Sequence, residues 1–187
     1  MFKFDGKHVS IREFTDKEIN NNSYYEWLRD YSVVRNIYRM EYLKPISRDM
    51  IHDYLSKVLS SPNDSMFAIY TQIEEKFIGT LKIGHIDWRS GVCDLGIMIG
   101  DPESRGKGYS KEAVILGCDY AFKIISLRKV TGGTYSDNAP MIKTFLNVGF
   151  IEEGRKRMEL LVGGKYLDHV LFGLFKEEFY SHNKFAQ

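Results

Sequence analysis

The chain has 187 residues, 43% of them apolar or aromatic, and its 26 Lys and Arg against 25 Asp and Glu leave a formal charge of +1. That is enough apolar material for a core and too much for a disordered chain, and the near-neutral balance lacks the basic footprint of a dedicated nucleic-acid binder. The two cysteines, Cys93 and Cys118, and the lack of any Cys/His group at zinc-ligand spacing argue against a disulfide scaffold and a structural metal site. The start, MFKFDGKHVS, has no secretory core, and no apolar run approaches the roughly 20 residues that span a bilayer. One domain over residues 1–187 is expected, without a membrane partner and in a reducing compartment such as the cytoplasm.

Residues 8–14 (HVSIREF) alternate and predict a first strand. Asp16 is placed to cap a helix over 17–30, and Ser47 opens a second with Met50, Ile51, Tyr54, Leu55, Val58 and Leu59 at helical spacing. The aromatic stretch between them, with Tyr31, Tyr38 and Tyr42, is ambiguous. Three strands follow over 66–72, 77–85 and 92–100, separated by short polar loops. A polar loop over 101–108 then leads into a strong helix over 110–125, whose stripe is Val114, Gly117, Cys118, Ala121, Phe122 and Ile125. A strand over 129–135 and a helix over 138–148, stopped at Gly149, come next. Two strands over 151–162 and 166–175 meet at Gly163-Gly164, a hairpin signal. The order predicts an α/β or α+β domain around one sheet.

The segment 96–113, GIMIGDPESRGKGYSKEA, carries the most chemistry. A strand runs into a glycine loop and the loop into a helix, which leaves first-turn N–H groups free for an anion. Gly106 and Gly108 let a phosphate approach the backbone, Arg105 and Lys107 add charge, and Ser110 adds a hydroxyl. The Walker A spacing fails, because five residues separate Gly100 from Gly106 and Gly108 follows Lys107. The dinucleotide pattern fails as well, since Lys111 stands where its last glycine belongs.

The pattern Gln/Arg-x-x-Gly-x-Gly/Ala does fit, with Arg105, Gly108 and Ser110 at its defined positions. With the flanking DLGIMIGD strand and YSKEAVILGCDYAF helix, it resembles the coenzyme A pyrophosphate loop of the Gcn5-related N-acetyltransferases (GNAT). Residues 138–150, NAPMIKTFLNVGF, resemble that family's N-x-x-A-x-x-x-Y-x-x-x-G-F segment. The closing GGKYLDHVLFGLF resembles the last hairpin of the branch that modifies ribosomal-protein N-termini and polyamines.

The resemblance implies a GNAT fold: a mixed, mostly antiparallel sheet of about seven strands flanked by helices and splayed between strands four and five, here 92–100 and 129–135. It implies acetyl-coenzyme A as acetyl donor, with pantetheine along Ile97, Met98 and Ile99, pyrophosphate on Arg105, Gly106, Lys107, Gly108, Tyr109 and Ser110, and Asn138 near the pantetheine. Asn138 also fits a plain helix N-cap. A small-molecule amine and a homodimer are the implied partners.

The implied chemistry is direct attack of a neutral amine on the thioester, with a proton acceptor for the amine and a backbone N–H near Ile99 for the oxyanion. Phe145 stands where the family often has a Tyr acid, so Tyr135 is the first substitute. Asp94 ranks first as base and His85 second; Asp94 at a bulge, His85 as a structural histidine and Tyr135 as packing are the plain alternatives. A small-molecule amine such as an amino sugar or a polyamine is the favoured acceptor over a protein N-terminus. A non-catalytic acyl-coenzyme A binder is the competing class, with Phe145 its one supporting feature.

Overall fold

The structure is a computed structural model that describes residues 2–35, 37 and 46–183. Tyr38 and Tyr42 of the aromatic stretch lie outside the described residues. The strands are β1 (Lys3–Asp5), β2 (Val9–Glu13), β3 (Ser65–Thr71), β4 (Phe77–Asp87), β5 (Val92–Ile99), β6 (Lys129–Tyr135), β7 (Ile151–Val162) and β8 (Lys165–Phe175). They form one sheet in the order β1-β2-β3-β4-β5-β6-β8-β7. Against the seven expected strands, the described residues form eight. The additional one, β1, pairs with β2 over three residues, too few to show a period of two in the sequence.

The helices are α1 (Asp16–Ile19), α2 (Asn22–Trp27), α3 (Tyr31–Val34), α4 (Arg48–Ser60), α5 (Tyr109–Asp119), α6 (Ala139–Val148) and α7 (Lys176–His182). The one helix expected over 17–30 is broken into short pieces. Asn21 Oδ1 accepts from the Ser23 N–H and Asp30 Oδ1 from the Ser32 N–H, both at 2.8 Å, so each side chain starts a new helix. Asp16 is not the cap of α1; Thr15 precedes it, and Glu18 reaches back to the Thr15 N–H at 2.9 Å. α5 runs on as a wider turn over Tyr120–Ile124, where the Ile125 N–H reaches the Tyr120 carbonyl at 3.2 Å. α7 was absent from the sequence expectation; its seven residues bury only Phe179.

The sheet is covered on both faces. Buried side chains of α5, α6 and α7 pack with Val9, Ile11, Ile69, Leu81, Leu95, Val130 and Leu174 on one face. On the other, Tyr24, Trp27, Val33, Ile51 and Leu55 from α2, α3 and α4 pack with Ala68, Tyr70, Phe77 and Met98. Among the described residues that second layer leaves Gly133 of β6 and Gly96 of β5 exposed, while Arg35 at the end of α3 reaches Asp137 beyond β6 at 3.5 Å. Among the described strands only β5 and β6 are parallel neighbours, and they pair through three residues: Val92↔Lys129, Cys93↔Val130 and Asp94↔Thr131. Beyond Asp94, β5 stays with β4 as far as Ile99, while β6 stays with β8 as far as Tyr135. The two halves of the sheet therefore part, leaving a gap with residues 95–99 on one lip and 132–135 on the other.

Candidate active site

The β5 lip offers backbone polar groups to the gap. Strand geometry sends the N–H and C=O of successive residues to opposite edges. The Cys93 carbonyl turns to the β6 side, where it accepts from Thr131 Oγ1 at 2.9 Å. The Met98 carbonyl lies against Gly79 of β4, and the Gly100 N–H donates to the Ile78 carbonyl at 3.0 Å. Residues 95, 97 and 99 thus face the gap with no strand beside them. Of the three residues expected to line it, Ile97 and Ile99 turn their backbone that way; Met98 turns to β4 and buries its side chain under α2 to α4.

The glycine loop stands at the end of this lip. Asp101 anchors it: its Oδ2 accepts from Ser104 Oγ at 2.5 Å and pairs with Lys76 Nζ at 3.0 Å. Burial opposes ionisation of Asp101, but these two donors outweigh it and hold the carboxyl below the ordinary carboxylate range. Arg105 clamps the strand end through Nε to the Ile99 carbonyl at 3.3 Å and Nη2 to the Gly100 carbonyl at 3.1 Å. Its Nη1 also meets Ser32 Oγ of α3 at 3.3 Å. Gly106 and Gly108 have φ of +74° and +82°, and a β-carbon on either would meet nothing within 4 Å, so the space above the loop is open. Gly108 precedes α5, and the Glu112 N–H is the first to reach back into the helix, to the Gly108 carbonyl at 3.3 Å. The amides of Tyr109, Ser110 and Lys111 precede that bond, so they belong to the first turn, whose N–H groups have no acceptor within a helix. Lys107 is exposed beside them, and Tyr109 and Ser110 are half-buried. This open loop, and a lip with no strand beside it among the described residues, fit a long, phosphate-bearing acyl carrier such as acetyl-coenzyme A.

A row of polar groups lies across the sheet from the α5 side. Asp94 is opposite Thr131, where the strands part. Burial lifts its carboxyl above the ordinary carboxylate range; His85, the Thr131 hydroxyl, Lys82 and His169 pull the other way without cancelling it. His85 sits exposed in the bulge of β4, at φ +51°. Tyr135, buried, ends the β6 lip opposite His169 of β8. Asn138 caps α6, accepting from the Met141 N–H at 3.3 Å, and donates through Nδ2 to Thr134 Oγ1 at 3.0 Å. Phe145 is buried on the α5 side against Phe150 and Phe172. Sequence reasoning missed His169, Glu159 and Thr131 in this row. The available signal was Gly132-Gly133 in the middle of a strand, where glycine costs stability and marks a close approach.

A parallel pair that splays, a glycine loop at its end and an ionisable row across the sheet define an acyltransferase architecture. The family model of the acetyltransferase (GNAT) domain matches residues 8–151, and the chain belongs to that family. It is an N-acetyltransferase, and acetyl-coenzyme A is the acetyl donor of GNAT acetyltransferases. Among its relatives, the SPbeta prophage-derived uncharacterized N-acetyltransferase YokL of Bacillus subtilis is 26% identical over 150 residues, 80% of this chain and 82% of that one. The spermidine N(1)-acetyltransferase of Vibrio cholerae is 25% identical over 135 residues, 72% of this chain and 77% of that one. A crystal structure of spermidine N-acetyltransferase from Vibrio cholerae, in complex with CoA and spermine, shares the fold with a TM-score of 0.82. It is 18% identical, with 91% of this chain and 97% of that chain covered. Among the described residues no helix is long and apolar enough to cross a membrane. No group of three or more His, Cys, Asp or Glu among them could hold a metal ion.

Proposed function

We propose that this chain transfers an acetyl group from acetyl-coenzyme A to the primary amine of a small molecule, an amino sugar or a polyamine, by direct attack on the thioester. The observation that carries the reading is the gap between residues 95–99 and 132–135, with the open glycine loop at one end and Asp94 at its vertex. Bound acetyl-coenzyme A supplies the activated acetyl group. The gap-facing amides of Ile97 and Ile99 hold its chain and steady the carbonyl oxygen, and the amides over 106–111 hold its pyrophosphate. Asn138, at the head of α6, borders the far side of the gap.

The amine enters from the face left uncovered beside β6. An amine with an ordinary pKa near 10 arrives as an ammonium ion, and the Asp94 carboxylate attracts it. Burial raises the proton affinity of that carboxylate, which suits it to take a proton from the nitrogen. His85 on the neighbouring bulge is the second candidate for that role, and Tyr135 on the opposite lip is the hydroxyl nearest in kind to a proton donor for the departing sulfur. The spermidine acetyltransferases among the relatives support an amine acceptor. Phe145 favours one other reading, a protein that binds acyl-coenzyme A without turnover.

Thiol release from acetyl-coenzyme A against spermidine, aminoglycosides, amino-sugar nucleotides and N-terminal peptides tests the proposal. Amine-dependent release names the acceptor class. A thermal shift with coenzyme A and no release with any amine would favour the binding protein.

A further inference from the structure

Resting on that reading, the chemistry moves two protons off the acceptor nitrogen, and two acceptors can share them. An ammonium nitrogen carries three protons and an amide nitrogen one. As the nitrogen lone pair forms the C–N bond, the C–S bond breaks with its electron pair going to sulfur. Two protons leave the nitrogen in all; one ends on the thiolate and the other in solvent. Asp94 accounts for one departure.

A second acceptor stands on the opposite lip. His169 of β8 lies beside Tyr135 and Lys156 in register, and its Nδ1 meets Glu159 Oε2 at 2.8 Å. Glu159 is held well ionised by His169 and by Lys156 Nζ, 3.0 Å from its other oxygen, so its carboxyl lies below the ordinary range. A carboxylate only accepts, so Nδ1 is the donor of this pair, and in the neutral ring the lone pair is on Nε2. That Nε2 lies over the α-carbon of Gly133, where any β-carbon would collide with it. Gly133 is exposed and belongs to the part of β6 that β5 has left.

Two costly local features serve this placement. Between Lys156↔His169 and Leu160↔Leu167, three residues of β7 oppose Asp168 alone. The bulge puts Met158 at φ +53° with its N–H on Asp168 Oδ1 at 3.0 Å, and it swings Glu159 back onto His169. A strand-interior glycine at 133 gives up side-chain packing to admit the ring. An ordinary surface ion pair needs neither.

We propose that His169, oriented by Glu159, is a further catalytic residue: its Nε2 takes the second proton from the acceptor nitrogen, after Asp94 has taken the first, and returns it to the thiolate or to water. The test is thiol release by the full-length chain and its His169→Ala and Glu159→Gln variants, with the amine that the wild type uses best. His169→Ala is expected to lower kcat about a hundredfold, with KM for both substrates held within about twofold, and added imidazole should restore a large part of the loss. Glu159→Gln should lower kcat several-fold. A purely structural histidine would not respond to imidazole. Undiminished kcat, or a loss that imidazole leaves untouched in a variant that melts with the wild type, overturns the proposal. His169→Asn, which keeps more of the ring's volume, replaces the alanine variant if that one melts early. A wild type that releases no thiol with any amine overturns the acetyl-transfer reading itself, and this proposal with it.

Discussion

The para carbon of Phe145 stands 2.6 Å from the place that a β-carbon on Gly132 would take, just where β5 and β6 have parted. The Leu95 carbonyl lies 3.4 Å from the same point. The ring therefore occupies the head of the gap from the α6 side, in space that the absent β-carbon of Gly132 leaves to it.

Gly132→Ala should destabilise the fold by about 1–3 kcal/mol through overpacking against that ring. Phe145→Leu in the same chain should recover part of the loss, with a coupling of about 0.5–3 kcal/mol in a double-mutant cycle. Denaturant unfolding of the four chains measures it. Costs that simply add would show that the ring does not set the strand separation.

Gly108→Val should weaken acetyl-coenzyme A binding by about tenfold or more, because a β-branched residue at φ +82° costs roughly 1–2 kcal/mol and its side chain fills the open space above the loop. Calorimetric titration reads the affinity, and a melting curve checks the fold. Wild-type affinity in a folded variant would exclude the loop as the pyrophosphate site.

Asp94→Asn should lower kcat by about two to four orders of magnitude with little change in cofactor affinity. It should also stabilise the fold at neutral pH. The folded carboxyl binds its proton more tightly than the unfolded one, so wild-type stability falls as pH rises from the ordinary carboxylate range through the raised folded value. Above that value the full penalty is present, and asparagine removes it. Melting temperatures from mild acid to neutral pH check the sign; a variant that loses stability at neutral pH would contradict the burial argument.

Asp101 works in the opposite direction. Its folded carboxyl is below the ordinary range, so its contribution is complete above that range and is lost as pH falls through the lowered folded value. Asp101→Asn should cost about 1.5–3 kcal/mol at neutral pH, the worth of hydrogen bonds to a charged group. The cost should shrink in acid. Equal destabilisation at neutral and strongly acid pH would show that the charge is not what anchors the loop.

Much of this site could be read along the chain. Gly106 and Gly108 announced a backbone open to an anion, and both adopt the positive φ that glycine permits. Gly163-Gly164 announced a two-residue hairpin, and Val162 does pair with Lys165 across them. Residues 92–100 are legible as a strand from their own β-branched and apolar content, which puts Asp94 on it; the gap beside it is what the family resemblance implies. These features rest on neighbours within a few residues, so composition and spacing are enough to fix them.

The remainder depended on contacts between distant positions. The breaks at Asn21 and Asp30 came from side chains that compete with the helix for backbone N–H groups, a competition that helical periodicity does not register. Whether Ile97 or Met98 faced the gap depended on which edge of β5 was taken by β4, a register that β5 alone does not contain. His169 meets Glu159 only because of the three residues that bulge between two paired positions of β7, and it reaches the gap only because Gly133, 36 positions earlier, has no side chain. Seven of the eight described strands, the glycine loop and the identity of the polar residues follow from local backbone preferences. Which polar residues share one face of the gap was decided by strand pairing and bulges, where a shift of one residue turns every side chain to the other side of the sheet.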